Sequence, residues 1–168
     1  MNIKEKVIEA QKEIINKLVR CEESVAELYK TYSEVVPDPD GFWKDMSQKE
    51  EVHANLLRTM HKQLDKGCIF YNIGRFSTSE IDSFLTMLHD NITYAKENNI
   101  TSEEAIKIAI SVESSIIDTS FYDIVNSDAP EYKYIAERLS NDTHEHVKAV
   151  QKKLMEIQSN KTIDSDKK

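Results

Sequence analysis

The sequence predicts an all-α protein built as a bundle of four long helices, and three observations carry that expectation. Only 3 glycines and 3 prolines occur in 168 residues, too few turn formers for a chain of many short strands. Apolar residues recur at alternating three- and four-residue intervals, the spacing of one helix face. The stretches that carry this rhythm are long, and cap or breaker signals bound them.

The first stretch places Val7, Ala10, Ile14, Leu18, Cys21, Val25, Leu28 and Tyr32 on one stripe, a helix over residues 3–34. VVPDPDG ends it, with Asp38 as N-cap and Pro39 at the first position of the next helix. That second helix aligns Trp43, Met46, Glu50, His53, Leu57 and Met60 and stops near Lys66 and Gly67. A third long helix starts at Thr101, which has capping-box spacing to Glu104, and carries Ala105, Ala109, Val112, Ile116 and Phe121 or Tyr122. The fourth opens at Asp128-Ala129-Pro130-Glu131 and carries Ile135, Leu139, His146, Val150, Leu154 and Ile157. About 35 residues separate the second and third, too many for a tight hairpin. Within them Ser77 and Glu80 signal a cap for a shorter helix, SEIDSFLTMLHDNITYAKEN. Two antiparallel hairpins joined by such a crossover form the connectivity of ferritin-like bundles. One domain, residues 1–157, is expected, followed by a polar disordered tail over 158–168.

Charge narrows the partners. Charged residues make up 31% of the chain and the net charge is -8, which suits salt-bridged outer faces and offers no basic stripe for nucleic acid. No apolar run approaches the roughly 20 residues a membrane span needs. MNIKEKVIEAQKEIINK is charged throughout and is no secretory signal. Cys21 and Cys68 form no CxxC pair, which excludes a zinc ribbon or a rubredoxin-type iron centre and points to the cytoplasm. Cys21 reads as a small core residue.

Several polar residues break the apolar stripes. Glu50 and His53, three apart, share one helix face in register with Met46 and Leu57, while Glu51 turns outward. Glu22 lines up with Leu18, Val25 and Tyr29, and Glu113 with Ala109 and Ile116. Leu139, Thr143, His146 and Val150 repeat the four-three-four spacing of Met46, Glu50, His53 and Leu57, whereas His144 faces solvent. Each has a bland reading alone. A Glu-x-x-His arises by chance in charged helices, Glu22 suits a boundary carboxylate with a packed stem, and a single core histidine is usually hydrogen-bonded. Together they are inward acids and imidazoles on four helices, and that combination calls for a shared compensation. A metal pair inside the bundle would supply it.

ESVAELYKTY, FWKDMSQKEEVHANLL, VESSII and DTHEHV together resemble the rubrerythrin-like branch of the ferritin-like superfamily, over roughly residues 5–157. The resemblance implies a di-iron carboxylate centre with Glu22, Glu50, His53, Glu113 and His146 as metal ligands. It implies two iron ions (manganese or zinc being alternatives), oxidase or peroxidase-type activity toward peroxide or dioxygen under oxidative stress, an outside electron donor and a homodimer. Two departures stand out. Thr143 occupies the place of a fourth-helix glutamate, with Asp142 one step off the stripe and four residues before His146 as a shorter carboxylate that could reach inward in its stead, and the rubredoxin module is absent. An alternative follows from Thr143: a ferritin-like bundle whose metal site is degenerate or absent, working as a binding module, with the inward acids and histidines paired as buried hydrogen bonds.

Overall fold

In the computed structural model, which describes residues 2–66, 78–118 and 130–165, every regular element is helical. The elements are α1 (Ile3–Val35), α2 (Phe42–Asp65), α3 (Thr78–Glu97), α4 (Ser102–Asp118) and α5 (Pro130–Ser165). The all-α class is as the spacing predicts.

Helix α1 begins with a reciprocal cap: Asn2 accepts from the Glu5 amide at 2.9 Å while Glu5 accepts from the Asn2 amide at 2.8 Å. It packs along both α2 and α3, and Ile15 and Val19 are accordingly buried beside the expected stripe of Ile14, Leu18, Cys21, Val25, Leu28 and Tyr32. Val7 and Ala10, the first two members of that stripe, are exposed. Helix α2 ends opposite Lys12, whose ammonium lies 2.8 Å from Asp65, so the first turns of α1 run past that end.

Ion pairs fix the helix directions. Ser47 donates to the carbonyl of Ala26, Arg58 pairs with Glu23 and Lys12 with Asp65, so α1 and α2 are antiparallel. Lys17 meets Asp82 at 2.7 Å and Lys96 meets Glu27 at 3.0 Å. Helix α3 therefore lies parallel to α1, burying Ile81, Phe84, Leu88 and Ala95. Helix α4 packs along α5. Helices α2 and α5 are antiparallel, because Lys153 meets Asp40 at 2.5 Å and His53 lies 3.5 Å from Asp142.

The start of α2 departs from expectation. Pro39 does not open the helix; it lies in a turn closed by the Gly41 amide donating to the Asp38 carbonyl at 3.1 Å. Gly41 is the N-cap, at φ 67, where a β-carbon would be strained. Asp38 still serves the helix end from three residues back, accepting from the amides of Trp43 at 3.2 Å and Lys44 at 3.4 Å. The Thr101–Glu104 capping box forms as expected, with bonds of 2.7 and 3.2 Å. At the other end, α5 runs to Ser165 rather than giving way to a disordered tail at Gln158. Leu154 and Ile157 are only half-buried there, so the packed stripe weakens before the helix ends. Cys68, Ser77, Phe121, Tyr122, Asp128 and Ala129 lie outside the described residues. Among the described residues no helix is long and apolar enough to cross a membrane.

Candidate metal centre

Four helices each bring part of the centre, and the apolar stripes decide which parts. Because Glu22 is in register with Leu18 and Val25, packing of α1 carries it inward; Glu50 and His53 follow Met46 and Leu57 on α2. Glu113 rides with Ala109 and Ile116 on α4, and His146 with Leu139 and Val150 on α5. All five are buried, none more than 4% exposed, and Thr143 is buried with them at 1%. Glu23, Glu51 and His144 are exposed, as the helical phase requires.

Glu50 sits at the middle. Its Oε2 lies 2.9 Å from His53 Nδ1 and its Oε1 lies 2.7 Å from His146 Nδ1. The two imidazoles stack, ring centroids 5.1 Å apart and planes 22° from parallel. Each has a second carboxylate: Glu22 Oε2 is 3.8 Å from His53 Nδ1, and Glu113 Oε1 is 3.7 Å from His146 Nδ1. Glu50 thus stands between two imidazoles, each with a second carboxylate nearby. The tightest part, Glu50 with His53 and His146, gathers potential ligand atoms within 4.8 Å of one another.

The contact between Glu50 Oε1 and His146 Nδ1 is close but not aligned as a hydrogen bond. Both atoms, and Glu113 Oε2, are buried without a hydrogen-bond partner. An unmet buried polar atom costs about 1–3 kcal/mol, and several of them converging on one place point to a group that binds there. Two imidazole nitrogens with three carboxylates suit a borderline transition metal such as iron, manganese or zinc. The donor set therefore fits metal binding, with Glu50, His53 and His146 close enough together to hold an ion.

Protonation follows from the same crowding. Burial raises the Glu50 pKa, but the flanking His146 and His53 outweigh it and hold the carboxyl down at about 2. Burial lowers His53, yet Glu22 and Glu50 overcome that and raise it to about 11. Burial and then the charge of Glu50 push Glu113 well above the usual carboxylate range. Without a cation, the centre thus favours the protonated forms of both His53 and Glu113. A metal would displace these protons on binding.

Three features escape the sequence reading. Tyr29 donates to Glu113 Oε1 at 2.6 Å inside the core; its only sequence signal is a place seven residues after Glu22 on the same stripe. Asp142 does not turn inward to replace the missing glutamate. Its Oδ2 lies 3.5 Å from Arg138 Nε and 3.5 Å from His53 Nε2, the nitrogen remote from Glu50, where a carboxylate orients a ligating imidazole. A surface pocket of about 250 Å³ between α2 and α5 has His53 and His146 among its lining residues. Thr143, in the place of the expected acid, donates its hydroxyl to the Leu139 carbonyl of its own helix at 2.9 Å. Comparison of the chain with protein-family profiles, with curated proteins and with solved structures gave no match.

Proposed function

We propose that this chain is a ferritin-like protein of the rubrerythrin type, in which Glu22, Glu50, His53, Glu113 and His146 hold two iron ions and the loaded protein reduces peroxide or dioxygen. One observation carries the reading: Glu50 directs one oxygen toward His53 and the other toward His146, and a second carboxylate flanks each imidazole. That is the disposition of a carboxylate bridging two cations. The helix directions support the ferritin-like connectivity, since α1 and α2 pair antiparallel, α2 and α5 pair antiparallel, and α3 lies along α1 outside the ligand set.

Each residue has a definite task. Glu50 ties the two half-sites together, Glu22 and Glu113 cap them at opposite sides, and the histidines supply neutral nitrogens once deprotonated. Tyr29 fixes the orientation of Glu113 through its hydroxyl. Asp142 holds His53 from the outer nitrogen. The pocket between α2 and α5 admits a small oxidant to the imidazoles while the apolar belt excludes bulk water. Bound iron would supply the electrons that the oxidant takes up, and an outside reductant would restore them.

The decisive experiment is metal analysis after anaerobic loading with Fe(II), for the unmodified chain and for Glu50→Ala. Two equivalents in the first and a large loss in the second are expected. Less than half an equivalent, unchanged by the substitution, rejects the proposal. That outcome would favour the second reading, a metal-free bundle serving as a binding module, to which the Thr143 hydroxyl spent on its own helix already lends weight.

A further inference from the structure

The ligand set is one negative charge short. With two divalent cations bound, Glu22, Glu50 and Glu113 supply three negative charges against four positive, the imidazoles being neutral. An uncompensated charge in a site whose ligands are at most 4% exposed is strongly unfavourable. The shortfall lies on α5. Thr143 brings no anionic oxygen, and its hydroxyl is committed to the Leu139 carbonyl. Asp142 stays at the rim with 40% of its side chain exposed, on the outer side of His53. His146, a ligand in the metal-pair reading, lies one helical turn from Thr143.

We propose that the centre takes up a small carboxylate from solution, of formate or acetate size, at the place a glutamate on α5 would fill. This rests on the metal-pair reading above and deepens it by assigning the missing ligand. The pocket between α2 and α5 gives an approach from the surface as far as the two imidazoles, which line it, while buried Thr143 is not part of that lining. Its volume of about 250 Å³ exceeds several times the roughly 30 Å³ share of one water. The mouth does little to select for charge, because its cations are already matched. Lys49 pairs with Asp45 at 2.7 Å, and Arg138 lies 3.5 Å from Asp142. The pull on an anion therefore comes from the centre, and the two oxygens of a carboxylate reproduce what a glutamate would have offered both metals.

Cobalt(II) is a suitable probe, because its visible bands report changes of coordination. The full chain is loaded with cobalt, its stoichiometry measured, and formate then titrated against chloride at equal ionic strength. The expected result is a saturable spectral change with formate, one anion per two cobalts, that chloride does not produce. In Thr143→Glu, which carries its own carboxylate to that place, formate affinity should fall roughly tenfold or more. Thr143→Val, close in shape and still lacking an acid, should keep the response, which guards against a misfolded glutamate variant. Two cobalts bound with no formate-dependent change overturns the inference and leaves the metal-pair reading standing. An undiminished response in a folded Thr143→Glu chain that also binds two cobalts overturns it too. Fewer than two cobalts per chain removes the metal pair and the inference with it.

Discussion

Glu50 Oε1 and His146 Nδ1 lie 2.7 Å apart across the α2–α5 interface, yet neither has a properly aligned hydrogen bond. A metal-free network would normally rotate one partner to make that bond, since a buried carboxylate–imidazole bond contributes about 1.5–3 kcal/mol. Here α2 and α5 hold both groups by their stripes, with Glu50 also committed to His53 at 2.9 Å. The pair is thus close without a donor aligned on an acceptor.

Glu50→Gln separates the two readings of this pair. The amide keeps the shape but loses the charge and the ability to bridge two cations. Fe(II) binding should drop by more than about 100-fold, beyond the roughly 10–100-fold cost of losing an outer-sphere partner. In the metal-free chain the change leaves His53 only the more distant carboxylates of Glu22 and Asp142, and should cost about 1–3 kcal/mol by denaturant unfolding. If iron affinity is untouched while stability falls, Glu50 is a structural partner only.

The pH dependence has a defined sign. His53 is raised from 6.5 to about 11, so its contribution is full below about pH 6.5 and is lost as pH rises through about 11. Glu50 is lowered from 4.5 to about 2, so its contribution holds above about pH 4.5 and is lost as pH falls through about 2. Glu113, raised above 4.5, favours the folded state in its protonated form and loses that advantage as pH rises. Together they place the greatest metal-free stability in mildly acid solution, His53 and Glu113 making it decline toward alkaline pH and Glu50 toward strong acid. Metal binding should behave oppositely, strengthening with pH as protons on His53 and Glu113 cease to compete. Melting curves of metal-free and zinc-loaded protein across pH 5–9 test this; parallel curves would refute proton–metal competition.

Tyr29→Phe removes one oxygen and little else. The Glu113 carboxylate loses a buried donor at 2.6 Å, while the ring still packs against Trp43 at a centroid distance of 5.5 Å. The expected cost is about 1–3 kcal/mol, with metal stoichiometry unchanged because Tyr29 orients a ligand without being one. Loss of one equivalent of metal in a well-folded Tyr29→Phe chain would instead make the tyrosine part of the ligand set.

Much of this was legible in the chain. Three- and four-residue spacing determined that Glu22, Glu50, His53, Glu113, Thr143 and His146 would be inward, because helical phase is a local property. That the two histidines would share Glu50 was not readable, since it depends on how α2 and α5 slide along each other. The same limit hid Tyr29, whose partner is on another helix, and the outward turn of Asp142, which Arg138 and His53 decide. Asn2 and Glu5 have capping-box spacing ahead of the apolar stripe, a purely local signal for the start of α1. At Asp38 the error was of another kind. The cap residue and proline were recognised, but Gly41 at positive φ moves the helix start three residues on.

That helix start gives the last prediction. Asp38 accepts from the Trp43 and Lys44 amides although a turn separates it from the helix, so Asp38→Ala should cost about 1 kcal/mol, the usual loss for an N-cap. Gly41→Ala meets open space on every side, and its cost, again about 1 kcal/mol, comes from placing a β-carbon at φ 67. Glu50 lies two turns further along α2, held by Met46, Leu57 and its own stripe. Both substitutions should therefore lower stability while leaving metal affinity within about twofold, the two effects being independent for separated sites. A large loss of metal affinity in either variant would mean that the Asp38–Gly41 turn sets the register of α2 against α5, and that Glu50 reaches His146 only while that turn is intact.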